Sequence, residues 1–317
     1  MIPDTIYNKI IKRIRVDDSW IKKNLVEHGV STASKVKIRI YSIAFSGNQE
    51  EYLGFIGTIL GKISDYVFSQ KEIKKIKKEG GSPDINAASF FGDIDPQKDG
   101  KYGEFILFLF VEAVLKCPMI AHKIQTYNPN DQVKGSDGLF FGKYDGQQAL
   151  LIGEAKMGLD NSTYINNALT SLDRFYISHG GGSTLDHELL VTRSNISTDF
   201  SKDELDYLYE VLSPGSQEYK NNVKVHPILI IYNDTNLNRI ETESKNKAEA
   251  EQKVKGIMPG LFEELTKKVK TKIAENHTEL SKVYLDFFFI PTSDVTRLRG
   301  EFYRKLHGAA YKEGKTD

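Results

Sequence analysis

Cysteine is almost absent from the sequence, since Cys117 is the single one in 317 residues. One thiol cannot form a disulfide within the chain, and it excludes the zinc sites that are built from several cysteines. A phosphate-binding loop of the form GxxxxGK[ST] is also missing. We therefore expect that this chain does not itself hydrolyse ATP.

Long apolar runs are missing as well. The most apolar stretch, residues 105–115, is interrupted by Glu112 and is much shorter than the roughly 20 residues that span a bilayer. The first 18 residues have no long apolar core and no small-residue cleavage site, unlike a secretory signal. These absences predict a cytoplasmic protein that has no membrane partner.

Neither sign of charge is in excess, because 43 basic residues balance 43 acidic ones. This balance argues against a surface that binds nucleic acid along its whole extent. If the protein binds DNA or RNA, the basic surface is local or a partner supplies it. The apolar share of 39% and the charged share of 27% are typical of a globular protein, and 317 residues suffice for two domains.

Glycine, proline and small polar residues gather in residues 80–100, after a basic run that ends near Lys78. Such a composition is typical of a break between folded regions. It divides the chain into an N-terminal accessory region, residues 1–79, a linker, residues 80–100, and a larger C-terminal domain, residues 101–317.

Hydrophobic periodicity predicts the elements on both sides of this break. In the accessory region it predicts a strand at 37–45 and one long helix at about 50–76. In the C-terminal domain it predicts a buried helix followed by a series of strands. The helix is placed at 102–115, and the strands at 119–127, 136–144, 147–156, 223–233 and 282–290. This mixture of helices and strands predicts an α/β fold.

The pair Asp145-Gly146 lies between two apolar runs and is a strong signal for a two-residue hairpin turn. Counted from this turn in a regular ladder, Asp137 pairs with Glu154. Side chains alternate between the two faces of a strand, so Lys156 lies on the same face as Glu154. The turn therefore brings two carboxylates and one ammonium group together, provided that no bulge shifts the register.

Two carboxylates directly opposite on a sheet repel each other, so a positive charge is expected between them. Carboxylate oxygens suit Mg²⁺ or Mn²⁺ better than zinc. An ion held by Asp137 and Glu154 would polarise a phosphodiester and lower the pKa of bound water, while Lys156 would orient that water. The pattern favours a metal-dependent phosphodiesterase. The alternative is an ordinary salt bridge between Glu154 and Lys156, with Asp137 capping a loop.

Two segments carry a resemblance to a known family: GKYGEFILFLFVEAVL (100–115) and SDGLFFGKYDGQQALLIGEAK (136–156). They resemble the PD-(D/E)xK nuclease superfamily, in which an Asp on one hairpin strand precedes Glu-x-Lys on the next. Taken together, they are more narrowly similar to the HamA family, the nuclease subunits of the Hachiman anti-phage defence system. Ser136 stands where the superfamily name has Pro, at a position that varies widely.

The resemblance implies a restriction-endonuclease-like core, with a central mixed sheet flanked by helices, beside the N-terminal accessory α/β region. It implies a DNA endonuclease that uses Mg²⁺ or Mn²⁺ and acts as the effector of a bacterial anti-phage defence complex. It also implies a helicase or ATPase partner that restrains the nuclease until infection. A chain without net charge is consistent with such a complex, because the partner would bind the DNA.

The superfamily often adds a glutamate from the helix before the hairpin. Glu104 matches that position and is expected to join Asp137 and Glu154 as a third metal ligand. The alternative is a carboxylate that the helix N-terminus favours. Glu112, two turns further along, is a weaker candidate. Polar residues on the helix after the hairpin are candidates for a phosphate contact or belong to its solvated face: Asn166, Asn167, Ser171 and Arg174.

Two other functions remain open at this point. A restriction or repair endonuclease that acts alone would carry features that read bases, and the sequence shows none. A non-enzymatic binding module on a nuclease fold would not need Asp, Glu and Lys together. The lysines of residues 71–78 are expected to form a solvated helix end, although a nucleic-acid backbone is an alternative partner for them.

Overall fold

A computed structural model describes residues 4–121, 136–176, 178–179, 182–193 and 196–312. The strands are β1 (Leu25–Ala33), β2 (Val36–Ile43), β3 (Phe45–Ser46), β4 (Gln49–Glu50), β5 (Gly138–Tyr144), β6 (Gln147–Gly158), β7 (Ser178–His179), β8 (Gly182–Ser183), β9 (Val223–Asn233) and β10 (Tyr284–Thr292).

The α-helices of these ranges are α1 (Asp4–Ile11), α2 (Ser19–Asn24), α3 (Tyr52–Leu60), α4 (Ile63–Val67), α5 (Gln70–Lys78), α6 (Pro83–Phe91), α7 (Lys101–Phe110), α8 (Asn161–Asp173), α9 (Thr184–Arg193), α10 (Lys202–Val211), α11 (Gln217–Asn221), α12 (Thr235–Glu243), α13 (Lys247–Asn276) and α14 (Val295–His307). A π-helical turn, Val111–Leu115, continues α7, and a 3-10 turn, Arg174–Tyr176, follows α8.

A six-stranded sheet of order β1-β2-β10-β9-β6-β5 forms the centre of the fold. The four inner strands β2, β10, β9 and β6 run parallel to one another, and β1 and β5 pair antiparallel at the two sides. One face packs against α7 and the helices α2 to α6, and the other packs against α1, α8 and α13. The architecture confirms the predicted α/β class with a central mixed sheet flanked by helices, and it is compatible with a nuclease-like core.

Most predicted strands lie where the periodicity put them, and β9 has the predicted bounds 223–233. The single long helix predicted at about 50–76 is wrong, because α3, α4 and α5 replace it. Helix α3 ends at Gly61, and Phe68 adopts an extended conformation before Ser69 starts α5 through a capping box with Glu72. The strand predicted at 119–127 falls largely outside the described residues, and within them Met119 forms an isolated bridge with Phe140.

The division of the chain into residues 1–79, 80–100 and 101–317 stays a prediction. The central sheet takes strands from both outer ranges, because β2 pairs along β10. Helix α6 lies within residues 80–100. No helix in the described part of the chain is long and apolar enough to cross a membrane.

Glu112, in the π-helical turn after α7, is buried with a relative exposure of 2%. Its Oε2 accepts the backbone N–H groups of Arg15 at 2.8 Å and Val16 at 3.1 Å, and its Oε1 accepts that of Met119 at 3.2 Å. One carboxylate thus satisfies buried donors from two separate segments. The role of Glu112 is to hold the N-terminal segment against the end of the buried helix.

Replacing Glu112 by Leu is expected to destabilise the fold, because three backbone N–H groups lose their acceptor and each costs about 1–3 kcal/mol. We expect the melting temperature to fall by at least about 10 °C. Glu112→Gln keeps the shape and one acceptor, so its loss should be smaller. Thermal unfolding followed by circular dichroism measures both, and equal melting temperatures for Glu112→Leu and the wild type would contradict this role.

The same group predicts a pH dependence of stability. Burial raises the pKa of Glu112 to about 7, against the opposing effect of the backbone N–H groups of Arg15 and Met119. A carboxyl whose pKa is higher in the folded than in the unfolded state stabilises the fold at low pH, and this contribution is lost as the pH rises through the folded pKa. The melting temperature of the wild type, relative to that of Glu112→Gln, should therefore fall between about pH 5 and pH 8. A difference in melting temperature between the two proteins that stays constant across that range would refute this pH dependence.

Candidate active site

The hairpin turn between β5 and β6 is formed by Asp145 and Gly146, whose φ angles are 48° and 80°. Positive φ at both central residues is the signature of the type I′ turn, which suits the twist of the flanking strands. The predicted register is confirmed along β5 and β6, with Leu139 opposite Ile152 and no shift in the ladder. The last pair of this ladder is Gly138 with Gly153.

The glycine pair at the end of the ladder allows close packing. A Cβ on Gly153 would lie 2.8 Å from Cδ2 of Leu107 on α7, and a Cβ on Gly138 would lie 2.7 Å from the Phe140 ring. Beyond this pair, β6 continues to Gly158 alongside β9. The segment of β6 that carries the Glu-x-Lys residues therefore extends past the end of its pairing with β5.

Asp137 directly precedes β5 and holds that end of the hairpin. Its backbone N–H donates to the carbonyl of Gly153 at 3.1 Å, and its Oδ2 accepts the backbone N–H of Ala155 at 2.7 Å. The described ladder ends one pair before the predicted pairing of Asp137 with Glu154. The carboxylate of Asp137 is therefore fixed to the residue between Glu154 and Lys156.

Glu154 and Lys156 form a partly buried ion pair on one face of β6. Glu154 is 3% exposed, and the Lys156 Nζ donates to its Oε1. Burial opposes the charged form of Lys156, but the Glu154 carboxylate and, less strongly, Asp137 outweigh it and raise the pKa of Lys156 above its usual value. Lys156 is therefore an ammonium group at neutral pH.

Glu104 approaches β6 from the other face of the sheet, in the first turn of α7. The preceding residue, Gly103, fits closely on β6, since a Cβ there would lie 3.4 Å from side-chain atoms of Ala155 and Met157. Oε2 of Glu104 accepts the Tyr66 hydroxyl at 3.2 Å. Burial first, and then the charges of Glu104 and Asp137, raise the pKa of Tyr66 well above its usual value, so both carboxylates lie near this ring.

The structure also places residues at the hairpin that sequence reasoning missed. Glu188 of α9 accepts the backbone N–H of Ser136 at 2.6 Å, directly before Asp137. Tyr66 belongs to α4, in the N-terminal part of the chain. No local pattern signals either residue, because each contact joins segments that are far apart in the sequence. Among the polar residues considered on and after α8, Arg174 lies close enough to lower the pKa of Lys156.

The donor chemistry of Asp137, Glu154 and Glu104 fits a hard divalent cation, since all three offer carboxylate oxygens. Each of these carboxylates accepts a hydrogen bond within the protein, from Ala155, Lys156 and Tyr66 respectively. In the part of the chain that the structure describes, no three His, Cys, Asp or Glu side chains converge as a metal site. Binding of one ion by all three would therefore require their side chains to rearrange.

Comparison with known proteins identifies the family. The HamA family model matches residues 16–306, which includes the N-terminal strands, the hairpin and β10. The curated proteins gave no match. Because the match covers most of the 317 residues, the chain belongs to the HamA family of the Hachiman anti-phage defence system.

Proposed function

We propose that this chain is a metal-dependent DNA endonuclease that hydrolyses phosphodiester bonds as the effector of a defence complex with a helicase partner. The observation that carries the proposal is the pair of the buried Glu154 with the partly buried Lys156, at the end of a hairpin and beside Asp137. Burying one carboxylate beside another lowers the stability of the fold. Such an arrangement is therefore expected only where it serves structure or function. Here Glu154 lies on the segment of β6 that continues past its pairing with β5, and Asp137 directly precedes β5.

Lys156 acts in this proposal as a charged donor. Its pKa is raised, so it keeps its proton at neutral pH and serves poorly as a general base. An ammonium group there would donate to an oxygen of the scissile phosphate or to the attacking water, and would offset the negative charge that develops. If Glu154 held the ion, its bond to Lys156 would be released and the ammonium group would become available to the substrate.

Asp137 and Glu154, together with Glu104, would hold a Mg²⁺ or Mn²⁺ ion. When bound, that ion would polarise the phosphodiester and lower the pKa of water. The two hairpin carboxylates flank Ala155, whose N–H fixes Asp137. The chain itself would supply the carboxylate oxygens: Asp137 just before β5, Glu154 on β6 and Glu104 in the first turn of α7.

A helicase partner accounts for the charge balance of the chain. With 43 basic and 43 acidic residues, the chain has no general excess of positive charge with which to bind the DNA backbone. It also has no GxxxxGK[ST] loop of its own. A partner that binds DNA and hydrolyses ATP would supply both properties, and it would deliver the strand to the site.

Glu154→Gln and Lys156→Ala should each reduce cleavage of plasmid DNA in Mg²⁺ by at least about 100-fold, because the first removes a ligand charge of the ion and the second removes the positive charge at the phosphate. Asp145→Asn and Lys143→Ala are matched controls, since they remove the same kinds of charge from exposed positions of the same hairpin. The controls should cleave at the wild-type rate. Full activity of either site variant would refute the proposal.

Removing divalent cations with EDTA should abolish cleavage, and Mg²⁺ or Mn²⁺ should restore it. Calorimetric titration with Mn²⁺ should show binding that Glu154→Gln weakens. Lack of both cleavage and metal affinity in the wild type would favour a non-enzymatic module instead. The same assay on RNA decides the substrate, because RNA cleavage without DNA cleavage would overturn the proposed substrate.

A pair of variants separates two roles for Glu104. Tyr66→Phe removes the hydrogen bond to Glu104 and keeps the carboxylate, whereas Glu104→Gln removes the charge. If Glu104 is a metal ligand, Glu104→Gln should lose roughly 10-fold or more in activity and Tyr66→Phe should lose little. Equal losses in the two variants would assign Glu104 to the support of Tyr66.

The partner is tested by purifying the full chain, tagged, from cells that contain the rest of its defence system. We expect a stoichiometric ATPase with helicase activity that survives size-exclusion chromatography. DNA added with ATP should then stimulate cleavage by the complex. A chain that purifies alone and cleaves DNA fully by itself would favour the stand-alone endonuclease.

A further inference from the structure

Pro227 occupies a central position in the sheet, on β9 between β6 and β10. Proline has no backbone N–H and is found mostly in edge strands, because in a central strand it removes a hydrogen bond from the ladder. One acceptor on a neighbouring strand is therefore left without its usual donor. The register identifies that acceptor.

The missing bond belongs to the carbonyl of Ile152 on β6. The neighbouring carbonyl, that of Gly153, points toward β5, since it accepts from Asp137, so that of Ile152 points toward β9. By the constant offset of the parallel pairing, Ile152 lies beside His226. In a parallel ladder its carbonyl would accept from the next residue on β9, which is Pro227.

The side chain of His226 supplies the donor instead. Its Nδ1 lies 3.0 Å from the Ile152 oxygen and its Nε2 lies 2.6 Å from the Tyr176 hydroxyl. Burial lowers the pKa of His226 to about 4, so the ring is neutral at pH 7. A carbonyl only accepts, so Nδ1 carries the proton, and Nε2 accepts from Tyr176. The Phe175 ring lies parallel to the imidazole and restricts it further.

We propose that His226 is a positioning residue of the hairpin site: its Nδ1–H replaces the backbone donor that Pro227 lacks and fixes β6 two residues before Glu154. This inference rests on the proposed function. The ladder between β6 and β9 is interrupted just before the pair Glu154 with Ile228. His226 closes that interruption with a side chain held in place by the turn after α8.

The position of this bond makes it relevant to catalysis. Ile152, Glu154 and Lys156 project from the same face of β6, and His226 lies on the corresponding face of β9. Without the His226 bond, the segment from Ile152 to Glu154 would lose one of its hydrogen bonds to β9 at the point where its pairing with β5 also ends. Small displacements of reacting groups cost large factors in rate.

Three variants test the substitution of a side-chain donor for a backbone donor. His226→Leu removes the donor and keeps much of the bulk. His226→Asn keeps an N–H close to the place of Nδ1. The double variant His226→Leu with Pro227→Ala restores a backbone N–H at residue 227, where Ile152 can accept it. Pro227→Ala alone is the control, because the Ile152 carbonyl has two lone pairs and accepts both donors.

We expect His226→Leu to lower kcat for DNA cleavage about 10- to 100-fold with KM within about 2-fold, since substrate contacts are untouched. His226→Asn and the double variant should recover most of the loss. Hydrogen–deuterium exchange of the peptide 147–158 should rise in His226→Leu and fall again in the double variant. If His226 acted through packing alone, a backbone N–H restored at residue 227 would recover neither kcat nor protection from exchange.

Several results would overturn the proposal. One is a double variant that recovers neither kcat nor protection from exchange. Another is a His226→Leu variant with increased exchange but unchanged kcat, because β6 would then be loosened without effect on the site. If the wild type cleaves nothing, the proposed function fails on its own, and the exchange measurements still decide whether His226 holds β6. His226→Asn keeps the test valid should His226→Leu fail to fold.

Discussion

The close approach of α7 to Gly153, in the glycine pair Gly138–Gly153 that ends the ladder, is the constraint on which the candidate site depends. Leu107 occupies the space where a side chain on Gly153 would lie. This contact sets the height of α7 over the sheet and therefore the position of Glu104 in its first turn. The ladder ends at the same pair, and the carboxylate of Asp137, just beyond it, turns onto Ala155. One packing contact thus relates three carboxylates from three separate elements.

The buried polar contacts around this centre serve a common purpose. Glu112 fixes the far end of the α7 segment to the N-terminal part of the chain, while Tyr66 joins its near end to α4. His226 fixes β6 from the side of β9. Buried hydrogen bonds of this kind specify one arrangement more strongly than apolar packing, because each unmet partner is costly. The site residues therefore lie on elements that are held at both sides.

Much of the hairpin was predictable from the sequence because its information is local. Asp145-Gly146 fixes the turn, and alternation along fifteen or so neighbouring residues fixes which side chains share a face. That reasoning reached the register of β5 with β6 and the common face of Glu154 and Lys156. It did not reach the hydrogen bond from Ala155 to Asp137, because a count of pairs assumes that the ladder continues.

Other features were beyond sequence reasoning because they depend on distant partners. An apolar stripe runs through α3, α4 and α5 without a pause, so the breaks at Gly61 and Phe68 did not interrupt the pattern. The sequence offers Glu112 as a candidate ligand. Its carboxylate oxygens instead accept the backbone N–H groups of Arg15 and Met119, which are distant in the sequence or outside the helix. The hydrogen bond of His226 could not be predicted, because its partner Ile152 lies 74 residues earlier in the chain.

Strand β10, the last of the described strands in chain order, lies between β2 and β9. It therefore separates β1 and β2 from the rest of the sheet. During synthesis, β1 and β2 leave the ribosome early, but β2 has no central partner until residues 284–292 emerge. The β5–β6–β9 part likewise keeps an open edge until then. A chain interrupted before Tyr284 therefore cannot assemble the six-stranded sheet, because β2 and β9 would lack the strand that lies between them.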